Sequence, residues 1–142
     1  MTTPVIVKAT PEEAKYVDAR LTEFIDTQTP FTQKTNMVFM NYVIKENDVV
    51  IAGINADVYY WGILYISELF VDEAFRGRSL GSKLLKHLEH EARAIGAKLS
   101  HCDTFDNQAK DFYLKHGYSV FGTLEISPHS HQRYYLRKTL HE

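Results

Sequence analysis

The chain is short of the residues that mark several protein classes. It has one cysteine, Cys102, so no intrachain disulfide can form, and a reducing compartment, the cytoplasm, is expected. No segment approaches the run of about 18 apolar residues that spans a membrane. Residues 1–8 show no basic stretch followed by an apolar one, so no signal peptide is visible. The net charge of −2 over 142 residues gives no basic surplus for nucleic acid and no acidic block of the solvating kind. Neither nucleic acid nor membrane is therefore expected as a partner. Seven glycines and four prolines are few and sit where turns are expected. There is no repeat, low-complexity stretch or linker, so residues 1–142 read as one domain.

What is present is ordinary for a globular chain: 44% hydrophobic and 24% charged residues. A chain of this size buries roughly two-thirds of its unfolded surface without help from metal or disulfide. The aromatic share, 13% with nine tyrosines, is high. Tyr59, Tyr60, Trp61 and Tyr65 cluster, and Tyr134 and Tyr135 follow near the end. Most read as core or sheet surface. Some could line a ligand pocket or a subunit interface, which leaves a homodimer open.

Residues 5–7 read as a short strand. Thr10-Pro11-Glu12-Glu13 predicts a helix start, with Thr10 as N-cap, Pro11 at the first helical position and Glu13 completing a capping box. Ala14, Val17, Leu21, Phe24 and Ile25 follow at helical spacing. Residues 28–36 form a polar loop, expected to be one wall of a substrate pocket because long polar loops in compact domains are often functional. Residues 37–45 and 49–60 read as a hairpin around Glu46-Asn47-Asp48. Residues 63–71, almost continuously apolar, suit a central strand. Leu80, Leu84, Leu85, Leu88 and Ile95 mark a helix that Gly96 ends. A strand over 97–104, a helix over 108–116 closed by Gly117, and strands over 118–124 and 132–140 joined by a loop with Pro128 complete the chain. Helices interleaved with hairpins imply an α/β fold on a mixed sheet.

The chemistry concentrates in residues 69–85. A buried strand enters a turn, Arg76-Gly77-Arg78-Ser79-Leu80-Gly81-Ser82, that opens straight into an amphipathic helix. Unpaired backbone N–H groups and the positive end of the helix dipole then meet at one place, a setting for phosphate or pyrophosphate. Glycine admits the anion close to the backbone, and Arg76 and Arg78 add charge. Two other phosphate motifs are excluded. A P-loop would need Gly-Lys-Ser/Thr after the first glycine and four residues, and no G-x-G-x-x-G triple occurs.

This stretch resembles the acyl-CoA-binding motif of the GNAT superfamily of N-acetyltransferases, Arg/Gln-x-x-Gly-x-Gly/Ala. A second signature of that family, N-x-x-A-x-x-x-Tyr with a following Gly-aromatic pair, is similar to Asn107-Gln108-Ala109-Lys110-Asp111-Phe112-Tyr113, preceded by Asp106 and followed by Gly117-Tyr118. The element order matches from Val5 to Leu140. The resemblance implies an α/β fold with a mixed, mostly antiparallel sheet, splayed central strands around 64–71 and 97–104, and flanking helices. It implies acetyl-CoA in the resulting V, with the pyrophosphate on Arg76, Gly77, Arg78, Ser79, Leu80, Gly81 and Ser82. The pantetheine arm is expected to pair with backbone at Leu69, Phe70 and Val71. Two positions depart from the pattern. Ser79 stands where glycine is usual, and its hydroxyl could donate to a phosphate oxygen. Asp106 stands where asparagine is common; an ionised carboxylate cannot donate, so Asn107 is the candidate cofactor contact there.

The implied reaction is direct attack of an amine on the thioester. An alkyl amine with a pKa near 10 is neutral only about one part in a thousand at pH 7, so the site must take a proton from it and supply one to the thiolate. The resemblance makes Tyr113 the general acid. Glu68, on the central strand, and Asp103, on the strand that splays away, are candidates for the base, because a strand carboxylate without a partner is costly to bury. His101 is a further candidate. Cys102 reads as core, since adjacent strand residues face opposite ways and His101 cannot activate it. His87 with His90, and His129 with His131, read as solvated surface, so no metal is expected. The implied activity is acetyl-CoA-dependent N-acetylation of a small amine. Acetylation of a protein or peptide amine, and a non-catalytic acyl-CoA-binding module, are the alternatives.

Overall fold

The computed structural model describes residues 3–126 and 131–140. The expected loop around Pro128, with His129, lies outside them. Residues as far as Phe31 form one compact unit and those from Thr32 a second.

The first unit holds helix α1 (Pro11–Gln28). It begins as the sequence predicts. Thr10 Oγ1 accepts the Glu13 N–H at 3.1 Å, and Glu13 Oε1 accepts the Thr10 N–H at 2.9 Å, with Pro11 at the first helical position. These bonds hold the Glu13 carboxyl below its usual range. Beyond the helix, Asp26 Oδ1 accepts the Phe31 N–H at 2.9 Å. Residues 5–7 are not a strand, contrary to the expectation. Three β-formers are a weak signal, because a strand exists only where a neighbour takes up its backbone groups.

The second unit is built on a six-stranded sheet. Its elements are β1 (Met37–Glu46), β2 (Val49–Tyr59), β3 (Ile63–Val71), α2 (Leu80–Ala94), β4 (Leu99–Thr104), α3 (Asn107–Lys115), β5 (Ser119–Ile126) and β6 (His131–Thr139). The spatial order is β1-β2-β3-β4-β6-β5, antiparallel throughout except where β3 meets β4. The fold is thus mixed α/β and mostly antiparallel, as the sequence implies. The β1–β2 turn places Asn47 and Asp48 at positive φ, 52° and 62°, the backbone a tight two-residue hairpin requires.

Alternation along β2 decides which face is covered. Ile54, Ala56 and Val58 are buried, while Asn55 is exposed and Asp57 half-buried. The buried row packs with Leu64 and Ile66 of β3 and with Leu80, Leu84, Leu85, Leu88 and Ala92 of α2. Helix α2 lies against β1, β2 and β3, and α3 against β4, β5 and β6. The sequence reading missed a 3-10 turn, Glu73–Phe75, before α2. Asp72 holds it at both ends: its Oδ1 accepts the Ala74 N–H at 2.9 Å within the turn, and its N–H donates to Ile51 O of β2 at 2.8 Å.

Candidate active site

Strands β3 and β4 run side by side for only four steps, from Ile63↔Leu99 to Ile66↔Cys102. On its other side β3 continues to pair with β2 as far as Val71↔Ala52. The edge of β3 from Ser67 to Val71 that faces β4 is therefore open. A bulge starts the divergence. Ala56 pairs with Ile66 and Asn55 with Glu68, so Ser67 is the extra residue, and its one hydroxyl hydrogen is shared between Asn55 O and Glu68 Oε1, each 3.0 Å away. The fork opens into a cleft of about 850 Å³, lined by β3, the turn before α2, the end of β4 and α3.

One end of the cleft suits an anion. Gly77, at φ 84°, and Ser79, at φ 60°, turn the chain into α2. No side chain caps the helix, so its first N–H groups face the cleft without a side-chain acceptor. Leu80, Gly81 and Ser82 all line the cleft there. A Cβ on Gly81 would stand 3.4 Å from the Phe112 ring. Arg76 lines the same end and donates from Nε to Val71 O at 3.3 Å.

The other end holds proton-handling groups. Tyr113 is buried, its ring edge-on to Phe112 and Tyr118. Burial first, then the neighbouring Cys102 thiol, raises its phenol well above the ordinary value. Burial likewise pushes the Cys102 thiol up to about 12, so it stays protonated. The Tyr113 hydroxyl is thus a donor that gives up its proton reluctantly. Glu68 is exposed to the cleft and accepts on Oε1 from Asn55 Nδ2 at 3.3 Å and Ser67 Oγ at 3.0 Å. Asp103 lines the opposite wall. Its Oδ1 takes Arg133 Nε and Nη2 at 3.0 and 2.7 Å, and its Oδ2 takes the Tyr65 hydroxyl at 2.9 Å. Burial and that bond push the Tyr65 phenol up to about 12.

The profile of the Acetyltransferase (GNAT) family matches residues 8–118. The chain belongs to this family. It is 34% identical over 85 residues to an acetyltransferase of Agrobacterium fabrum, a stretch covering 60% of this chain and 62% of that protein. It is 33% identical over 92 residues to blasticidin-S acetyltransferase of Streptomyces morookaense, covering 64% of this chain and 67% of that one. The chain therefore spans somewhat under two-thirds of the first relative's length. A crystal structure of an acetyltransferase from Bacillus cereus superposes with a TM-score of 0.85 at 28% identity, covering 96% of this chain and 97% of that one. An acetyltransferase structure from Bacillus anthracis, in complex with acetyl coenzyme A, shares the fold at 19% identity with a TM-score of 0.64, over 77% of this chain and 65% of that one.

Against the GNAT motif, Leu69, Phe70, Val71, Arg76, Gly77, Ser79, Leu80, Gly81 and Ser82 all border the cleft, as do Glu68, Asp103 and Tyr113. Two candidate cofactor contacts do not. Arg78 turns to Glu46 of β1, at 3.1 Å, and stacks on Phe75. Asn107 Oδ1 accepts the Tyr134 hydroxyl at 2.9 Å. Asp106 instead caps α3, accepting the Gln108 N–H at 3.0 Å, which asparagine would do equally well. His101 does not border the cleft. Its Nε2 meets the Tyr59 hydroxyl at 2.9 Å, and burial lowers its pKa.

The loop expected to wall the substrate pocket contributes Thr32, Gln33, Lys34 and Thr35 to a different cavity, of about 510 Å³, with Val38, Val58 and Lys98. Gln33 braces it, accepting the Gly62 N–H at 3.1 Å and donating to Val58 O at 3.0 Å. Among the described residues no three His, Cys, Asp or Glu side chains stand together as metal ligands, and no helix is long and apolar enough to cross a membrane. The sequence reading missed Tyr65, Ser67, Asn55 and Arg133. Only the register between strands reveals their partners, although the Arg133-x-Tyr135 alternation already put both side chains on one face.

Proposed function

We propose that the cleft binds acetyl-CoA and that the protein transfers its acetyl group directly to a primary amine of a small molecule. The observation that carries this is the open β3 edge running from the fork to an uncapped helix N-terminus. An extended amide-bearing arm matches the first, and a pyrophosphate the second. Leu69, Phe70 and Val71 would offer backbone partners to the arm. Arg76 and the N–H groups of residues 79–82 would hold the phosphates. Bound there, acetyl-CoA supplies an activated acyl group.

The protein's own residues handle the protons. Glu68 takes a proton from the acceptor ammonium, and the freed lone pair attacks the thioester carbonyl. As the C–S bond breaks, the Tyr113 hydroxyl donates toward the departing sulfur. Its raised pKa makes this a stabilising hydrogen bond more than a full transfer, and the second proton, shed by the nitrogen after attack, passes through solvent to the sulfur and completes the thiol. Similarity to blasticidin-S acetyltransferase supports a small-molecule acceptor over a protein or peptide amine. The buried Tyr113 donor and the two carboxylates at the fork favour an enzyme over a binding module. A single free cysteine agrees with a cytoplasmic setting.

The test is thiol release from acetyl-CoA with a mixed panel of small amines and basic peptides. Release with small amines supports the reading. Release only with peptides would move the acceptor class. Tight acetyl-CoA binding by calorimetry with no release would leave a binding module.

A further inference from the structure

The two carboxylates bordering the fork are treated differently by their surroundings. Asp103 has both oxygens engaged. Arg133 places Nε and Nη2 on Oδ1, at 3.0 and 2.7 Å, and Tyr65 places its hydroxyl on Oδ2. Arg133 is itself fixed, with Cζ 5.2 Å from the ring centres of both Phe105 and Tyr135. The register explains the meeting. Asp103 pairs with Tyr135 across β4 and β6, and Arg133 lies two residues along β6 on the same face. Glu68 has only neutral donors, the Asn55 amide and the Ser67 hydroxyl, both on Oε1. Among the described residues no cation pairs with it.

We propose that Arg133 is a positioning residue that decides which carboxylate serves as base. By occupying Asp103 it leaves Glu68 to take the acceptor's proton. This rests on the acetyl-transfer reading above. A proton delivered to Asp103 would displace a charge-assisted, two-donor contact and leave a half-buried guanidinium without its counter-ion. A proton delivered to Glu68 lands on a carboxylate open to the cleft and breaks no ion pair. The ammonium gives up one proton, Glu68 becomes the neutral acid, and solvent later removes that proton.

The experiment compares steady-state acetyl transfer by wild type, Glu68→Gln, the double variant Glu68→Gln/Arg133→Met, and Glu68→Gln/Arg133→Lys, using an amine the wild type accepts. Glu68→Gln is expected to lower kcat by about tenfold or more, with little change in KM for acetyl-CoA. Removing the guanidinium from that variant frees Asp103 and is expected to raise kcat again, by about fivefold or more. Lysine keeps a cation on Asp103, so the third variant should stay as slow as Glu68→Gln. A merely structural arginine would give no gain of rate on removal. A folded Met double variant no faster than Glu68→Gln overturns the proposal, and so does a Glu68→Gln enzyme at wild-type rate. If the Met variant melts too low to assay, Arg133→Gln carries the same comparison. A wild type that releases no thiol with any amine overturns the acetyl-transfer reading itself, a failure distinct from either of these.

Discussion

The Tyr118 hydroxyl donates to Glu89 Oε2 over 2.8 Å, inside the layer between α2 and the sheet. Glu89 Oε1 takes Lys138 Nζ at 2.8 Å, and Ser100 Oγ meets the Tyr118 oxygen at 2.7 Å. Since Tyr118 spends its proton on Glu89, Ser100 must be the donor to Tyr118. The chain of bonds ties α2 to β4, to the start of β5 and to β6. Burial and the Glu89 carboxylate raise the Tyr118 phenol far above its usual value, which keeps it a donor.

Lys138→Met should be costly for this reason. It leaves a carboxylate with only 5% of its side chain exposed without its cation. Breaking a pair of this kind costs about 3 kcal/mol. Urea denaturation should show that loss, and adding Glu89→Gln should recover part of it. Equal stability of Lys138→Met and wild type would show that the pair contributes nothing.

Tyr113→Phe keeps the ring and its edge contacts with Phe112 and Tyr118. On the proposed mechanism it removes only the donor to sulfur. A positioned acid is worth about a hundredfold or more, and an easily departing thiolate puts this case lower, at about tenfold to a hundredfold in kcat. Acetyl-CoA affinity and Tm should change little. Normal kcat under single-turnover conditions would make Tyr113 a core residue.

Gly81→Val tests the anion end of the cleft. A Cβ there already reaches van der Waals contact with Phe112 Cε1, and valine's two methyl groups press that ring and narrow the helix entrance. Acetyl-CoA binding should weaken at least tenfold, about 1.4 kcal/mol, by calorimetry on a folded variant. Unchanged affinity would move the phosphates elsewhere.

Ser79 sits at φ 60° with no cap bond to show for it. The left-handed region costs a side-chain-bearing residue about 1–2 kcal/mol, of which glycine's extra unfolded entropy returns roughly half. Ser79→Gly should therefore raise Tm by about 2–4 °C. A lower Tm would mean that the serine hydroxyl makes a stabilising contact.

His101 supplies a pH test. Burial lowers its pKa from the ordinary 6.5, and Asp103 only partly opposes this. Tyr59, Tyr65 and, across the strand pair, Arg137 surround it. Above 6.5 the ring is neutral in both folded and unfolded chains. On acidification the unfolded chain takes up the proton first, so stability falls as pH drops below 6.5 toward the folded value. His101→Gln should lose less Tm than wild type between pH 7.5 and pH 5. Parallel Tm curves would show that His101 is not coupled to folding.

Much of this was legible in the chain itself. The period-2 runs of β1 to β3, the leucine spacing of α2 and the Thr10–Glu13 box are local patterns, because helix and strand periodicities are set by backbone geometry. The strand–turn–helix around Gly77 and Gly81 was legible for the same reason, and the structure sets that turn on the cleft. The weak triplet at residues 5–7 misled because strand formation depends on a partner the triplet does not contain.

What tertiary structure alone decided is pairing. Glu68 and Asp103 looked equivalent as strand carboxylates; the β4–β6 register brought Arg133 to one, and the bulge at Ser67 gave the other only neutral donors. Arg78 and Asn107 sat within the motif, yet Glu46 and Tyr134 turned them from the cleft. Cys102 read as core, and the fork showed that it neighbours Tyr113. Residue type and spacing determine which chemistry a segment can offer. Which groups meet is a long-range outcome of register and packing, written in no local pattern, and it sets which protons those groups can move.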